Sequence, residues 1–274
     1  MATIAENIQT LRSIKSDIKN AITDKGGNVG NDFKTYAQAI TDLPSGGGGG
    51  TEMEDALVTR TLSGTYYNNR VSKIGSYAFA NCSSLATISL PNCLEIGDAA
   101  FQNCLSLVSI SLPKCSIINK SVFLYCSALP YIDLPNCSFV NERAFVNCSS
   151  LSYIVLPNCR IIGVYAFLNC SVLLSISLPK CSTISMNAFQ NCSALSLVSL
   201  PICTYANSYA FNGCTNLTQV YLNSVSTVTN IQLKTFSKCP NLTSVYVPAS
   251  LVDAFKTAQY WSSISNKIVA YTGA

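Results

Sequence analysis

The chain has 274 residues, of which 49% are hydrophobic and only 11% are charged, and its formal net charge is +4. This charge fraction lies well below the roughly 25% of ordinary domains, so the apolar side chains must share a continuous core under a surface of Ser, Thr, Asn and Tyr. The absence of histidine excludes His-based catalytic triads and His-bound metals. The sequence also contains no Lys/Arg run of the kind that binds nucleic acid.

Apolar residues recur at three- and four-residue steps in residues 1–45, with charged residues between them, which predicts an amphipathic helix. A shorter helix is predicted over residues 32–42. Because two such helices bury little surface alone, we expect residues 1–45 to be an attachment and oligomerisation module. A self-contained helical hairpin is the alternative. The apolar stripe of the first helix includes Ile4, Ile8, Leu11, Ile18 and Ile22.

The N-terminal stretch shows no basic segment followed by an apolar one, so we expect no secretory signal. No apolar run approaches the ~20 residues that span a bilayer, so no membrane partner is expected. Residues 46–50 are five glycines, which predicts a flexible linker. Residues 51–73 are polar and irregular. We interpret them as an N-terminal cap, because a stack of repeats exposes its first apolar face unless something covers it.

Cysteine recurs every eleven residues from Cys82 to Cys214, alternately after an aromatic residue and after a proline, so the true period is 22 residues. A fixed period in this range predicts a repeat solenoid. The repeat reads I-G-x-x-A-F-x-N-C-S-x-L-x-x-I-x-L-P-N-C over residues 74–248, with three extra residues inserted within 223–230. Eight strands stacked at roughly 4.8 Å predict a parallel β ribbon about 35–40 Å long.

Residues 249–274 leave the repeat frame and are predicted to form a C-terminal cap. Their first part, residues 249–256, has a helical pattern in which Ser250 is the expected N-cap. Trp261, the single tryptophan, is expected to pack in this cap.

The spacing Leu-x-x-Ile-x-Leu-x-x-Cys fits the leucine-rich repeat signature, in which Asn or Cys stands three residues after the last strand leucine. We therefore expect two inner ladders of cysteines that act as small buried hydrophobes, with thiols that donate to the backbone. Disulfides are disfavoured because in-register side chains point in parallel. Zinc is disfavoured because no Cys-x-x-Cys pair occurs, and a catalytic thiol because nothing basic would lower its pKa. The repeated Asn-Cys-Ser triplets are interpreted as a row of asparagines that bond the convex turns.

Strand alternation turns two residues of each ribbon strand outward. Most of these residues are short and polar, but larger ones cluster in the middle and near the C-terminal end of the ribbon: Tyr131, Asp133 and Tyr153, then Tyr221 and Tyr246. Tyrosine suits the recognition of sugars and proteins, and it also pairs well across strands, so both interpretations stay open. A rival surface on the convex turns carries Tyr77, Arg143, Tyr165 and Tyr209.

Over residues 74–248 the repeat resembles the BspA-like, or Treponema-type, leucine-rich repeat. Members of that family are surface proteins of bacteria and some protozoa that are implicated in adhesion, and they normally carry secretion signals. Residues 14–43 and the following glycines resemble N-terminal segments of tail-fibre and other virion proteins of phages that infect gut bacteria. Residues 247–261 resemble the end piece of BspA-like arrays in such proteins.

These resemblances lead us to expect a non-enzymatic phage virion fibre or appendage, assembled in the host cytoplasm, whose array binds a host cell-surface glycan or protein. The N-terminal module would bind other virion proteins and form a homo-oligomer, with a trimer favoured. No nucleic acid, membrane, metal or cofactor partner is expected. The alternatives are a purely structural head or tail decoration protein and a bacterial surface adhesin.

Overall fold

The computed structural model describes residues 64–272. The predicted helical module at residues 1–45, the glycine linker at 46–50 and the first part of the predicted N-terminal cap lie outside the described residues. The attachment role of Ile4, Ile8, Leu11, Ile18 and Ile22 therefore stays a prediction.

Each repeat contributes two parallel strands, one to each of two ladders that run the length of the solenoid. We call the first the front ladder. Its strands are β1 (Gly64–Tyr67), β3 (Leu85–Ser89), β5 (Ser109–Ser111), β7 (Tyr131–Asp133), β9 (Tyr153–Val155), β11 (Ser175–Ser177), β13 (Leu197–Ser199), β15 (Gln219–Tyr221), β17 (Ser244–Pro248) and β18 (Ile268–Tyr271). The hydrogen-bonded groups are β1-β3-β5, β7-β9 and β11-β13-β15-β17-β18, and adjacent groups lie side by side.

The second or back ladder consists of two-residue strands. They are β2 (Lys73–Ile74), β4 (Glu95–Ile96), β6 (Ile117–Ile118), β8 (Phe139–Val140), β10 (Ile161–Ile162), β12 (Thr183–Ile184), β14 (Tyr205–Ala206) and β16 (Asn230–Ile231). All pairings in both ladders are parallel, and β2 pairs with β4 while β6 through β16 form one sheet. The structure therefore confirms the parallel solenoid.

The register follows the 22-residue period, because Thr87 pairs with Ser109. It lengthens to 25 residues in the last repeat, where Gln219 pairs with Ser244. The predicted three-residue insertion is thus confirmed. Within residues 64–272 the front ladder has ten strands, not the predicted eight, because β1 and β18 extend it at its two ends.

The core consists of side chains that stack in columns along the solenoid. The inward strand residues Leu85, Ile88 and Leu90 are fully buried, as predicted. The phenylalanines form a continuous stack from Phe79 to Phe236, in which neighbouring ring centroids lie 5.0 to 5.6 Å apart. Each repeat therefore buries its apolar side chains against its two neighbours, as expected of a solenoid.

The cysteines form two hydrogen-bonded columns of free thiols. In the column next to the phenylalanines, Cys126 Sγ donates to the Phe101 carbonyl at 3.1 Å. In the other column, Cys115 Sγ donates to the Ile117 carbonyl at 3.2 Å. Burial raises the pKa of Cys115 to about 11, so the thiol stays neutral at pH 7. The predicted inner ladders that donate to the backbone are confirmed.

A turn segment connects each back strand to the next front strand and contains two residues with positive φ. The second of these is Asn in five repeats, because Asn tolerates the left-handed conformation better than most residues. We call these residues the asparagine ladder: Asn81, Asn103, Asn147, Asn169 and Asn191. Their side chains bond one another rather than the turns predicted from sequence, as in Asn169 Nδ2 to Asn147 Oδ1 at 2.9 Å. Asn136, in the other cysteine column, does bond a turn as predicted, because its Nδ2 donates to the Pro113 carbonyl at 2.7 Å.

The C-terminal end is closed by a 3-10 turn (Ala249–Leu251), helix α1 (Val252–Thr257), a second 3-10 segment (Ser262–Lys267) and β18. The predicted N-cap at Ser250 is wrong, because the 3-10 turn precedes α1 and Leu251 stands at the cap. Trp261 is buried as predicted. Its ring contacts Phe236 and Phe255, and its Nε1 donates to the Thr229 carbonyl at 2.7 Å.

Candidate binding surfaces

The middle of the front ladder carries an exposed pair of parallel tyrosines. Tyr131 and Tyr153 are 45% and 50% exposed, and their ring centroids lie 5.9 Å apart with an angle of 6° between the planes. They stand outward because Ile132 and Ile154, between the outward positions of β7 and β9, fill the core. Asp133 is exposed on the same face of β7. The structure thus brings these three predicted residues together.

The pKa of Tyr131 is raised by desolvation, and the Asp133 carboxylate and the neighbouring Tyr153 add to this effect. The Tyr131 hydroxyl is therefore neutral at physiological pH and can donate a hydrogen bond. The site therefore offers the Tyr131 hydroxyl as a neutral donor, the Asp133 carboxylate as an acceptor, and the flat apolar rings of Tyr131 and Tyr153. This combination can bind a partner that is rich in hydroxyl or amide groups.

A second tyrosine cluster lies near the C-terminal end of the same face. The rings of Tyr221 and Tyr246 stack with centroids 4.6 Å apart, and Tyr271 meets Tyr221 edge-on at 6.3 Å. Gln219 joins the pair: the Tyr221 hydroxyl donates to its Oε1 at 3.3 Å, and its Nε2 donates to the Tyr246 hydroxyl at 3.4 Å. These intramolecular bonds orient both rings in the unbound protein.

Sequence reasoning missed Tyr271, because β18 lies outside the repeat frame, in the predicted C-terminal cap. Pro248 pairs with Tyr271, which places the last tyrosine on the front ladder. The only available signal was the β-prone stretch Ile268–Tyr271. Between the two clusters the front positions carry mainly serines and Leu197. Three strand spacings, roughly 14 Å, separate Tyr153 from Tyr221 along the ladder.

The turn segments present a different, charged surface. The Arg143 guanidinium lies 5.8 Å from the centroid of the Tyr165 ring, and the Lys234 ammonium lies 5.7 Å from that of Tyr209. Arg143 also pairs with Glu142 at 3.4 Å. The four predicted residues of the rival surface therefore do not form one patch, since Tyr77 lies three turns before Arg143 in the column of positive-φ residues.

The outward face of the back ladder carries an apolar row that sequence reasoning did not single out. Ile117, Phe139 and Ile161 occupy register-equivalent positions on three adjacent strands. Ile117 and Ile161 are 39% and 36% exposed. The sequence contained a signal for this row, because an apolar residue stands two positions after each of the prolyl-side cysteines Cys115, Cys137 and Cys159. In the first two back strands the same position carries the ion pair Lys73 and Glu95.

The described residues offer no feature typical of a catalytic centre. Within residues 64–272 no group of Cys, Asp or Glu side chains is arranged to hold a metal ion. Burial, together with nearby thiols, raises the pKa of Cys137 to about 12, which makes such a thiol a poor nucleophile. In the same part of the chain no helix has the length and hydropathy needed to cross a bilayer.

Residues 58–160 and 138–265 match a family model described as a BspA type leucine rich repeat region. No curated protein matches the sequence. Among solved structures, a leucine-rich repeat protein of T. pallidum is similar at 28% identity, over 69% of this chain and 78% of that chain, with a TM-score of 0.47. A leucine-rich repeat protein of Bacteroides ovatus is similar at 19% identity, over 79% and 85%, with a TM-score of 0.31. The pneumococcal vaccine antigen PcpA is similar at 16% identity, over 78% and 69%, with a TM-score of 0.45.

Proposed function

Since the chain belongs to the BspA-type leucine-rich repeat family, we propose that it is a non-enzymatic recognition protein whose front ladder binds a glycan or a protein on a host cell surface. The observation that carries this proposal is the pair of tyrosine clusters on an outward face whose other residues are mainly short and polar. Exposed serines offer a partner little apolar surface, whereas each tyrosine offers a ring and a hydroxyl. Aromatic residues of this kind dominate the energetics of many interfaces.

The two tyrosine clusters differ in the groups that they offer to a partner. Within residues 64–272 the hydroxyls of Tyr131 and Tyr153 make no hydrogen bond, so these groups are available to a partner. The hydroxyls of Tyr221 and Tyr246 are engaged with Gln219, so that cluster offers ring surface first. We place the main anchor at the middle pair, with Asp133 as its charged neighbour, and the C-terminal cluster as a second contact.

The test is binding of the purified full chain to a panel of intact gut bacterial isolates, measured by flow cytometry. Tyr131→Ser combined with Tyr153→Ser removes the anchor and leaves serine, the residue that Ser109 and Ser175 supply at equivalent positions. We expect at least a tenfold loss of affinity. The matched control is Leu197→Ser in the same column, which should leave binding intact. Unchanged binding by the double variant would contradict the proposal.

We further propose that the array is displayed on a phage particle, with residues 1–45 as the attachment module and a homotrimer as the assembled form. The support is the resemblance of residues 14–43 to virion-protein segments, together with the glycine run at 46–50. Mass spectrometry of purified particles should detect the chain. Deletion of residues 1–45 should leave a folded array that no longer joins particles.

Two other outcomes would identify the alternative functions. If the chain is found in particles and the double tyrosine variant attaches to hosts normally, it is a structural decoration protein. If the chain is found on bacterial surfaces and is missing from particles, it is a bacterial adhesin, and residues 1–45 are its cell-surface anchor.

A further inference from the structure

The asparagine ladder is interrupted in the middle by a tyrosine. Tyr125 occupies the ladder position between Asn103 and Asn147, and it has the same left-handed conformation, with a φ of 62°. Its backbone N–H donates to the next repeat, to the Val146 carbonyl at 2.9 Å, as the equivalent N–H of Asn103 does to Leu124 at 2.8 Å. The backbone is therefore unchanged at this rung, and only the side chain departs from the pattern.

The interruption leaves hydrogen-bonding groups open on both sides. On an intact rung, one carboxamide donates to its predecessor and accepts from its successor, as Asn169 does with Asn147 at 2.9 Å and Asn191 at 3.0 Å. Asn103 donates to Asn81 at 2.8 Å. Within residues 64–272 the Asn103 Oδ1 accepts no bond from the rung of Tyr125, and the Asn147 Nδ2 finds no acceptor there.

A shallow open cavity lies at this break. Its volume is about 450 Å³, and it is lined by Asn81, Ser83, Asn103, Leu105 and Tyr125. Leu105 and Tyr125 are 49% and 47% exposed, which is high for side chains of this size. The lining thus combines an aromatic ring and an aliphatic side chain with two carboxamides and a hydroxyl, and it carries no formal charge.

We propose that this break, which we call the Tyr125 subsite, binds a neutral saccharide. A sugar ring has one apolar C–H face, which fits the tyrosine ring and the leucine side chain, and a rim of hydroxyls that both donate and accept. Among the lining side chains, the open Oδ1 of Asn103 accepts a hydrogen bond, and the Ser83 hydroxyl can both donate and accept one. The absence of charge from the lining disfavours phosphorylated or acidic ligands.

A peptide ligand fits this place less well. Peptides commonly bind through main-chain hydrogen bonds to an exposed backbone edge. Here the N–H groups are occupied: Leu105 N–H donates to the Asn103 carbonyl at 3.0 Å, and Ser127 N–H donates to the Tyr125 carbonyl at 2.8 Å. These N–H groups are therefore not available to a peptide strand, and recognition would depend on the side chains of the lining residues. The subsite lies on the turn segments and not on the front ladder, so it goes beyond the function proposed above.

The test uses the full chain and a panel of neutral disaccharides, namely chitobiose, mannobiose, cellobiose and lactose, with saturation-transfer NMR and titration calorimetry. Tyr125→Asn removes the ring and supplies the missing carboxamide. We expect wild type to bind at least one panel member and the variant to bind it at least about tenfold more weakly. Because the variant completes the ladder, its melting temperature should equal or exceed that of wild type, so lost binding will not reflect misfolding.

The matched control is Tyr165→Asn, the same substitution at another left-handed turn residue, with a φ of 57°. This variant should bind the sugar as wild type does. The Tyr131→Ser, Tyr153→Ser double variant should also keep sugar binding, which separates this proposal from the front-ladder function. The proposal is overturned if no panel sugar binds wild type at millimolar concentration, or if Tyr125→Asn binds unchanged. It is equally overturned if only the front-ladder variant loses the sugar.

Discussion

Raising the pH above 9 should unfold the repeat array, because the fold keeps its thiols protonated. Burial is the main cause that raises the pKa of Cys159 and Cys203 to about 11, and that of Cys93 to about 12, from an unfolded value of 9.0. A pKa that is higher in the folded state means that folding favours the bound proton. The stability is then fully present below pH 9 and is lost as the pH rises from 9 towards 11–12.

The magnitude depends mainly on the unfolded chain. At pH 10 a buried thiol of this kind is still protonated, whereas an unfolded one is mostly ionised, so each thiol reduces the free energy of unfolding by about 1.4 kcal/mol. The chain has 14 cysteines, and burial raises the pKa of most of them. The combined loss of more than about 15 kcal/mol exceeds the roughly 5–15 kcal/mol that stabilises a typical domain.

The assay is far-UV circular dichroism between pH 7 and pH 11 in the presence of a reductant, followed by return to pH 7. We expect a steep, reversible loss of β signal that begins near pH 9. Replacing Cys115, Cys137 and Cys159 by Asn, which leucine-rich repeats also use at this position, should move the midpoint to higher pH. A full β signal at pH 10.5 would refute the reasoning, because ionisation of the thiols in the unfolded chain would then not outweigh the stability of the fold.

Three further predictions concern the stacked columns. Phe167→Ala should lower the free energy of unfolding by about 3–5 kcal/mol in a urea titration, because it removes one ring from a stack with neighbours at 5.1 and 5.0 Å. Asn169→Ala should cost about 1–2 kcal/mol through left-handed strain and two lost bonds, and Asn169→Gly should cost less because glycine removes only the bonds. Trp261→Ala should speed hydrogen exchange in β17 and β18 while β5 and β7 keep their protection; equal acceleration along the whole array would contradict nearest-neighbour stability.

The fold was predictable because one 22-residue pattern recurs throughout residues 74–248, which is too regular to arise by chance. The 22-residue period gives the parallel register, and the alternation in each strand gives the inward residues. The period carries no information beyond its own frame, which is why β1 and β18 were missed. Both strands join the front ladder through backbone pairing, but their sequences, Gly64–Tyr67 and Ile268–Tyr271, lack the pattern of buried residues that identifies a repeat.

The candidate sites were predictable only in part. Tyr131 and Tyr153 are neighbours in any in-register parallel ladder, so their contact follows from the period. The contact of Tyr221 with Tyr246 follows in the same way, even across the three-residue insertion. The carboxamide chain along the turns needed side-chain directions that a sequence pattern does not supply. The repeat frame places Tyr125 where other repeats carry asparagine, but only the structure shows that those asparagines bond one another and that Tyr125 breaks the chain.

Departures from the repeat therefore carry the functional information of this chain. A rung is held in place by its buried Leu, Ile, Phe and Cys side chains and by its backbone bonds, none of which depends on the outward residues. Serine is the commonest residue at the outward strand positions, and asparagine occupies the second left-handed position in most turns. Tyrosine at Tyr131, Tyr153 and Tyr125 adds no core contact that the repeat requires, and it exposes apolar surface to water. We infer that these side chains are present for a partner, which is why serine or asparagine substitutions there should preserve the fold and remove only binding.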